Sequence, residues 1–135
     1  MAFDWIRRDK IHKTVILDSS AILMFFEFSV DWKKDLDSLV GSYRLVVPTA
    51  VVRELEMLST HRKYQRKVNA ALKLIATFKR IDDPAISADE ALMNIAEKTN
   101  GIVMTNDIEL RKRLKNNHLS IIFLRGRKKL VLEEY

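Results

Sequence analysis

Residues 14–20 read Thr14-Val15-Ile16-Leu17-Asp18-Ser19-Ser20. Four β-branched or apolar residues end on a carboxylate and two hydroxyls. A short run of this kind is a strand buried on both faces. The pattern returns downstream. Leu45–Val47 ends at Pro48, Ile102–Met104 ends at Thr105-Asn106-Asp107, and Ile121–Leu124 ends at Arg125-Gly126. Arg80–Asp82 is a weak strand candidate, and Leu130–Leu132 a short last one.

Helical periodicity fills the gaps. Ser19 or Ser20 is expected to cap a helix through Phe26. Val30–Val40 ends at Gly41, a C′ glycine. Pro48 or Thr49 opens a helix through Leu58, and Arg62–Lys79 is a long amphipathic stretch. Ser87 and Glu90 have capping-box spacing for a helix to Thr99, closed by Asn100-Gly101. Asn106 and Glu109 are expected to open the next, through Asn116. Strands alternating with helices predict a mainly parallel, roughly five-stranded sheet between two helical layers, an α/β/α sandwich in one domain, 1–135.

Composition limits the chemistry. There are 135 residues, 47% hydrophobic and 31% charged. Such a chain is too apolar for a disordered tail. The absence of cysteine excludes a disulfide scaffold, a zinc ribbon and a thiol nucleophile. Glycines stand only at 41, 101 and 126, so no phosphate-cradling glycine loop exists. Met1–Lys13 lacks a signal-peptide core. No apolar run approaches the length of about 20 residues needed to span a bilayer. A soluble, cytoplasmic protein with no membrane partner is expected. The net charge of +6 favours an anionic partner, nucleic acid first.

In a parallel sheet the ligand crevice lies at the carboxyl ends of the strands. Asp18 and Asp107 fall there, although either also suits a helix N-terminus. Glu54 is expected on the inward stripe of its helix with Val51 and Leu55. That is costly for a charge unless it is paired, for instance with Arg53 or Arg66, or bound to a cation. Asp89 lies in the first turn of its helix, beside the inward face. If the four converge, two charges ~5 Å apart repel by about 3 kcal/mol at an effective dielectric of ~20. An all-oxygen set then calls for Mg²⁺ or Mn²⁺, one or two ions, rather than Zn²⁺. No His or Lys is placed to activate Ser19 or Ser20 as a nucleophile. Ser20 also stands where an aspartyl phosphatase would carry a second Asp.

Four segments taken together resemble the PIN-domain nucleases. They are Val15-Ile16-Leu17-Asp18-Ser19-Ser20-Ala21-Ile22-Leu23, Val47-Pro48-Thr49-Ala50-Val51-Val52-Arg53-Glu54-Leu55, Ala88-Asp89-Glu90-Ala91-Leu92 and Ile102-Val103-Met104-Thr105-Asn106-Asp107. The resemblance covers about Thr14 to Val131. It implies metal-dependent cleavage of single-stranded RNA and frequent homodimers. It also implies that Asp18, Glu54, Asp89 and Asp107 hold the metal, with Thr105 and Asn106 beside the last acid and Ser19 or Ser20 orienting Asp18 or a water. The segments from Glu109 to Leu114 and from Leu130 to Glu133 look closer to an archaeal branch. Its members resemble proteins that cut ribosomal RNA precursors and are often labelled VapC-type toxins, so an antitoxin or a ribosomal precursor is an implied partner. The competing expectation is a catalytically silent RNA-binding or assembly module on the same fold.

From Arg111 to Lys129 there are eight bases and no acid. Arg111, Arg113, Lys115, Arg125, Arg127, Lys128 and Lys129 are therefore candidate phosphate contacts. The cluster Arg62, Lys63, Arg66 and Lys67 is read as a solvated helix face. Tyr43, Tyr64 and Phe123 are candidates for base stacking, though core roles suit them better. Trp5 and Trp32 are expected to pack. Met24, Phe25, Phe26 and Phe28 form an apolar patch suited in part to a partner. His12, His61 and His118 show no metal-ligand spacing.

Overall fold

The computed structural model describes residues 12–135; Trp5 and most of the Met1–Lys13 stretch lie outside the described residues. Six strands and six helices occur among those described. In chain order they are β1 (Lys13–Leu17), α1 (Ser19–Glu27), α2 (Trp32–Val40), β2 (Tyr43–Pro48), α3 (Thr49–Leu58), α4 (Gln65–Ile75), β3 (Lys79–Ile81), α5 (Ala88–Thr99), β4 (Ile102–Met104), α6 (Ile108–Asn116), β5 (Ser120–Arg125) and β6 (Lys129–Glu133).

The sheet order is β3-β2-β1-β4-β5-β6, parallel except for the β5–β6 hairpin. Both the weak strand candidate and the last short strand therefore form, giving six strands. Val15, Ile16 and Leu17 point alternately to opposite faces, and all three are fully buried. Both faces of the sheet centre are thus covered, as their uninterrupted apolar sequence demands.

The chain leaves β1 in one direction toward β2 and β3, and later returns on the other side with β4. The order reverses between β1 and β4, which pair with Leu17 opposite Met104. This switch point opens a crevice at the carboxyl ends of those two strands. Gly101 lets β4 enter beside β1. A Cβ there would stand 2.7 Å from Thr99 Oγ1 and 2.9 Å from the Thr14 carbonyl oxygen. No other residue fits without displacing the backbone.

Several boundaries differ from the sequence expectation. Neither Ser19 nor Ser20 caps α1; Asp18 does, accepting from the Ala21 amide at 2.8 Å. Asn106 does not cap α6; Asp107 does, accepting from the Glu109 and Leu110 amides. An Asp at the position before each helix outcompetes its neighbours because its carboxylate also meets the positive helix end. Ser87 caps α5 as expected, at 3.2 Å from the Glu90 amide. α4 is shorter than its apolar stripe. Its end tightens to i→i+3 bonds, as helix ends often do. The Thr77 hydroxyl donates to the Leu74 carbonyl there at 2.7 Å. Phe78, beyond that end, meets Trp32 edge-on, while Trp32 stacks on Phe25 at 4.3 Å. The expected apolar patch is thus mostly internal, with Met24 buried and Phe26 the exposed member. Among the described residues no helix is long and apolar enough to cross a membrane.

Candidate active site

Asp18 leaves β1 at the switch point and is only 6% exposed. Its Oδ1 accepts from the Ala21 amide and from Ser20 Oγ at 2.7 Å. Its Oδ2 accepts from Thr105 Oγ1, on the strand-end segment after β4. Thr105 Oγ1 in turn accepts from the Asp107 amide at 3.0 Å, and Ser20 Oγ accepts from the Asn106 amide at 3.0 Å. The two strand ends are therefore bound together by two hydroxyls. Asn106 completes the corner. Its Oδ1 takes the Leu124 amide at 2.8 Å, extending toward β5 a ladder that β4 no longer reaches.

Burial pushes the Asp18 carboxyl up to about 6, and the Asp107 charge adds to the rise. Hydrogen bonds from Thr105, Ala21 and Ser20 pull the other way without cancelling it. Glu54 is also raised, first by desolvation and then by the charges of Asp89 and Asp107, against the lowering bond from Ser19. These repulsions link all four acids. Asp107 acts on both Asp18 and Glu54, and Asp89 acts on Glu54.

Glu54 corrects the sequence expectation in one respect. It lies on the exposed side of α3 rather than on the Val51–Leu55 stripe. At about 100° per residue, Glu54 stands roughly 60° from Val51 and 100° from Leu55, at the margin of the buried stripe. Its partner is Ser19 Oγ at 3.1 Å, not Arg53 or Arg66. Asp89 is half-buried at the start of α5 and stands 3.7 Å from an Arg113 guanidinium nitrogen. Asp107 is exposed at the start of α6.

Among the described residues no three His, Cys, Asp or Glu side chains close on one point as a finished metal cage. The four carboxylates instead stand at the carboxyl-end edge of the sheet, where Asp107 acts on Asp18 and Glu54, and Asp89 acts on Glu54. That arrangement fits a hard ion which keeps several waters and takes only one or two protein carboxylates, as Mg²⁺ does, and the all-oxygen donors exclude a zinc-type set.

The seven candidate phosphate-binding bases divide. Arg113 is engaged with Asp89 and, at 3.5 Å, with Glu90. Arg111 is half-buried, its guanidinium 3.6 Å above the Phe123 ring, a cation–π contact. Phe123 is itself buried, so neither is a free base-stacking surface. Lys115, Arg125, Arg127, Lys128 and Lys129 are exposed. The last four lie at the β5–β6 turn, on the same sheet edge as Asp18. Gly126 and Arg127 both have positive φ there, the turn that suits the strand twist. Arg127 is thereby held with its guanidinium 5.7 Å from the Phe28 ring.

One supporting group is nearly silent in the sequence. The Asp83 side chain, 1% exposed, accepts from the Ala85 amide at 3.0 Å and Asn94 Nδ2 at 3.1 Å, and lies 3.7 Å from Lys98 Nζ. It fixes the loop that delivers Asp89. The Asp83-Pro84 step, a turn initiator, is the available signal.

Residues 15–127 match the family model described as a PIN like domain. Ribonuclease VapC4 of Methanocaldococcus jannaschii is 30% identical over 120 residues, covering 84% of this chain and 92% of that protein. Ribonuclease VapC9 of Archaeoglobus fulgidus is 28% identical over 135 residues, covering 98% of each. The solved structure of the PIN domain endonuclease Utp24 superposes with a TM-score of 0.74 at 20% identity, covering 90% of this chain and 92% of that one, a likeness of fold. With the acids at the switch point, the sheet order and a match over most of its length, the chain belongs to the PIN-like domain family.

Proposed function

We propose that this protein is a divalent-metal-dependent endoribonuclease that hydrolyses phosphodiester bonds of RNA. The observation that carries the reading is Asp18, buried at the switch point and tied through Ser20 and Thr105 to the strand end that presents Asp107, with Glu54 held beside it by Ser19. The curated relatives named as ribonucleases support RNA as the substrate class. In this reading Asp18, Glu54, Asp89 and Asp107 hold Mg²⁺ or Mn²⁺, one or two ions. When bound, such an ion lowers the pKa of a water and offsets charge growing on the phosphoryl oxygens.

The chain's own residues prepare the reaction. Ser20 and Thr105 fix the Asp18 carboxylate, and Ser19 orients Glu54. Asn106 locks the β4 end to β5, so the cleft keeps its width. Arg125, Arg127, Lys128 and Lys129 attract the RNA backbone and hold it along the edge beside Asp18, and Lys115, near the far end of α6, adds to the attracting field. In hydrolysis a water oxygen bonds phosphorus, the in-line ester oxygen leaves, and the protons pass to the leaving oxygen and solvent. The activity suits a VapC-type toxin restrained by an antitoxin protein. It equally suits a maturation nuclease acting on ribosomal precursors, working in the cytoplasm as a homodimer of single-domain subunits.

Incubation of the purified protein with end-labelled single-stranded RNA tests this. Cleavage is expected with Mg²⁺ or Mn²⁺ and none with EDTA. RNA binding without cutting under either ion would instead establish the silent binding module. Replacing Arg125, Arg127, Lys128 and Lys129 together with Ala is expected to flatten the salt dependence of binding, by about 0.7 in log–log slope per lost phosphate contact.

A further inference from the structure

Beyond Glu54, away from Asp18, a cavity of about 590 Å³ opens between the end of α3 and the turn that follows it. Ser19 and Glu54 form its inner end; Met57, Leu58, Thr60 and His61 form the rest. A ligand pocket typically measures ~300–1,000 Å³ and has a mostly apolar wall with a few polar groups. Met57 is 72% exposed, a large apolar side chain left uncovered next to a candidate active site. Thr60 is committed to the Met57 carbonyl at 2.7 Å. The backbone of His61 is used in the turn, and its side chain is exposed. From Met57 to Arg80 the chain carries no acid, and Arg62, Lys63 and Arg66 follow the cavity directly.

We infer that this cavity is a nucleobase subsite. It takes the flat ring of one unpaired nucleotide next to the cleaved bond, against Met57 and Leu58, with His61 offering a hydrogen bond to the base edge. The basic turn after it receives the next phosphate. Three features favour RNA over a peptide: continuity with the acid cleft, an apolar wall for a base, and cations beyond it for the backbone. An unpaired base reaches such a wall, whereas a base inside a duplex does not. The subsite thus gives Arg62, Lys63 and Arg66 a role, while Lys67 is held by Glu27 at 3.2 Å. The inference rests on the nuclease reading and refines it.

A mapped single-stranded RNA oligonucleotide, and copies made abasic one position at a time around the cleaved bond, test it. In the wild type, one abasic position is expected to lower kcat/KM about tenfold, the size of uncovering ~55 Å² of apolar wall. Met57→Asp and His61→Ala are expected to lower kcat/KM on the intact oligonucleotide, and to be nearly indifferent to that same abasic position. Equal abasic penalties in wild type and variants would overturn the subsite while leaving the nuclease intact. If the wild type cuts no RNA with Mg²⁺ or Mn²⁺, the nuclease reading fails. Fluorescence anisotropy with the intact and abasic oligonucleotides in EDTA then applies the same comparison to binding. Should Met57→Asp leave RNA handling unchanged but convert a dimer to a monomer in sedimentation, the cavity is a protein interface and the subsite is wrong.

Discussion

The two sides of the acid cleft are built differently. On the strand side, Asp18 is buried and held by three donors, and Thr105 and Ser20 tie β1 to β4. On the helix side, Glu54 is exposed and held by one hydroxyl, while Asp89 faces an exposed arginine at 3.7 Å. The strand side is a preorganised fixture. The helix side rests on side chains that cost little to move. Such a division suits a cleft that must fix one point of a substrate and adapt to the rest.

The sharpest way to break the comparison is to neutralise an acid on the strand side. Asp18→Asn and Asp107→Asn are each expected to cut RNA cleavage on the order of 10²–10³-fold, the size of losing one group that stabilises transition-state charge. Circular dichroism should remain native. Full activity in either variant would remove that residue from the site.

The next effect is thermodynamic. The folded protein keeps a proton on Asp18 up to about pH 6, where the unfolded chain has already released it near its ordinary value of 3.8. The folded state therefore binds more protons between those limits. Stability from this group is full below about pH 4 and is lost as pH rises through 6, about 3 kcal/mol in all. Melting in EDTA from pH 4 to 8 should show wild type losing stability relative to Asp18→Asn across that window. Added Mg²⁺ or Mn²⁺ should restore it at pH 7–8. Parallel curves in EDTA would mean that Asp18 is not strained in the folded protein.

Thr105→Val removes the hydroxyl shared by Asp18 and the Asp107 amide. A loss of about 1–3 kcal/mol in unfolding free energy is expected from the unsatisfied groups. A fall of roughly 10–100-fold in metal affinity or activity should accompany it. An unchanged denaturation midpoint would show that the strand-side network is not rigid. On the helix side, both ion pairs of Arg113 are solvent-exposed. Arg113→Ala should therefore alter unfolding free energy by no more than about 1 kcal/mol. A larger loss would show that the helix side is as firmly built as the strand side.

Much of this was legible in the residues. The apolar runs at Thr14–Leu17 and Ile102–Met104 announce strands because only a doubly covered sheet accepts them. The Ser87–Glu90 spacing announces a helix start because the amide and hydroxyl must meet. Less legible was competition among adjacent polar residues. Asp18, Ser19 and Ser20 can each cap α1; Asp18 does so from the position before the first turn, and the fold alone adds Thr105 from across the switch point as a second donor. The fates of Arg111 and Arg113 were equally hidden. A run of bases reads as one surface, but α6 turns Arg111 onto Phe123 and Arg113 onto Asp89.

The sequence by itself determined the alternation of strands and helices, the acids at their junctions and the basic balance of the chain, since periodicity and charge are local properties. Only the tertiary structure decided which strand neighbours which. That choice brings residue 18 beside residues 105–107, sets Glu54 at the rim and opens a cavity behind it. These are long-range facts, fixed by how six strands share one sheet, and no window of adjacent residues contains them.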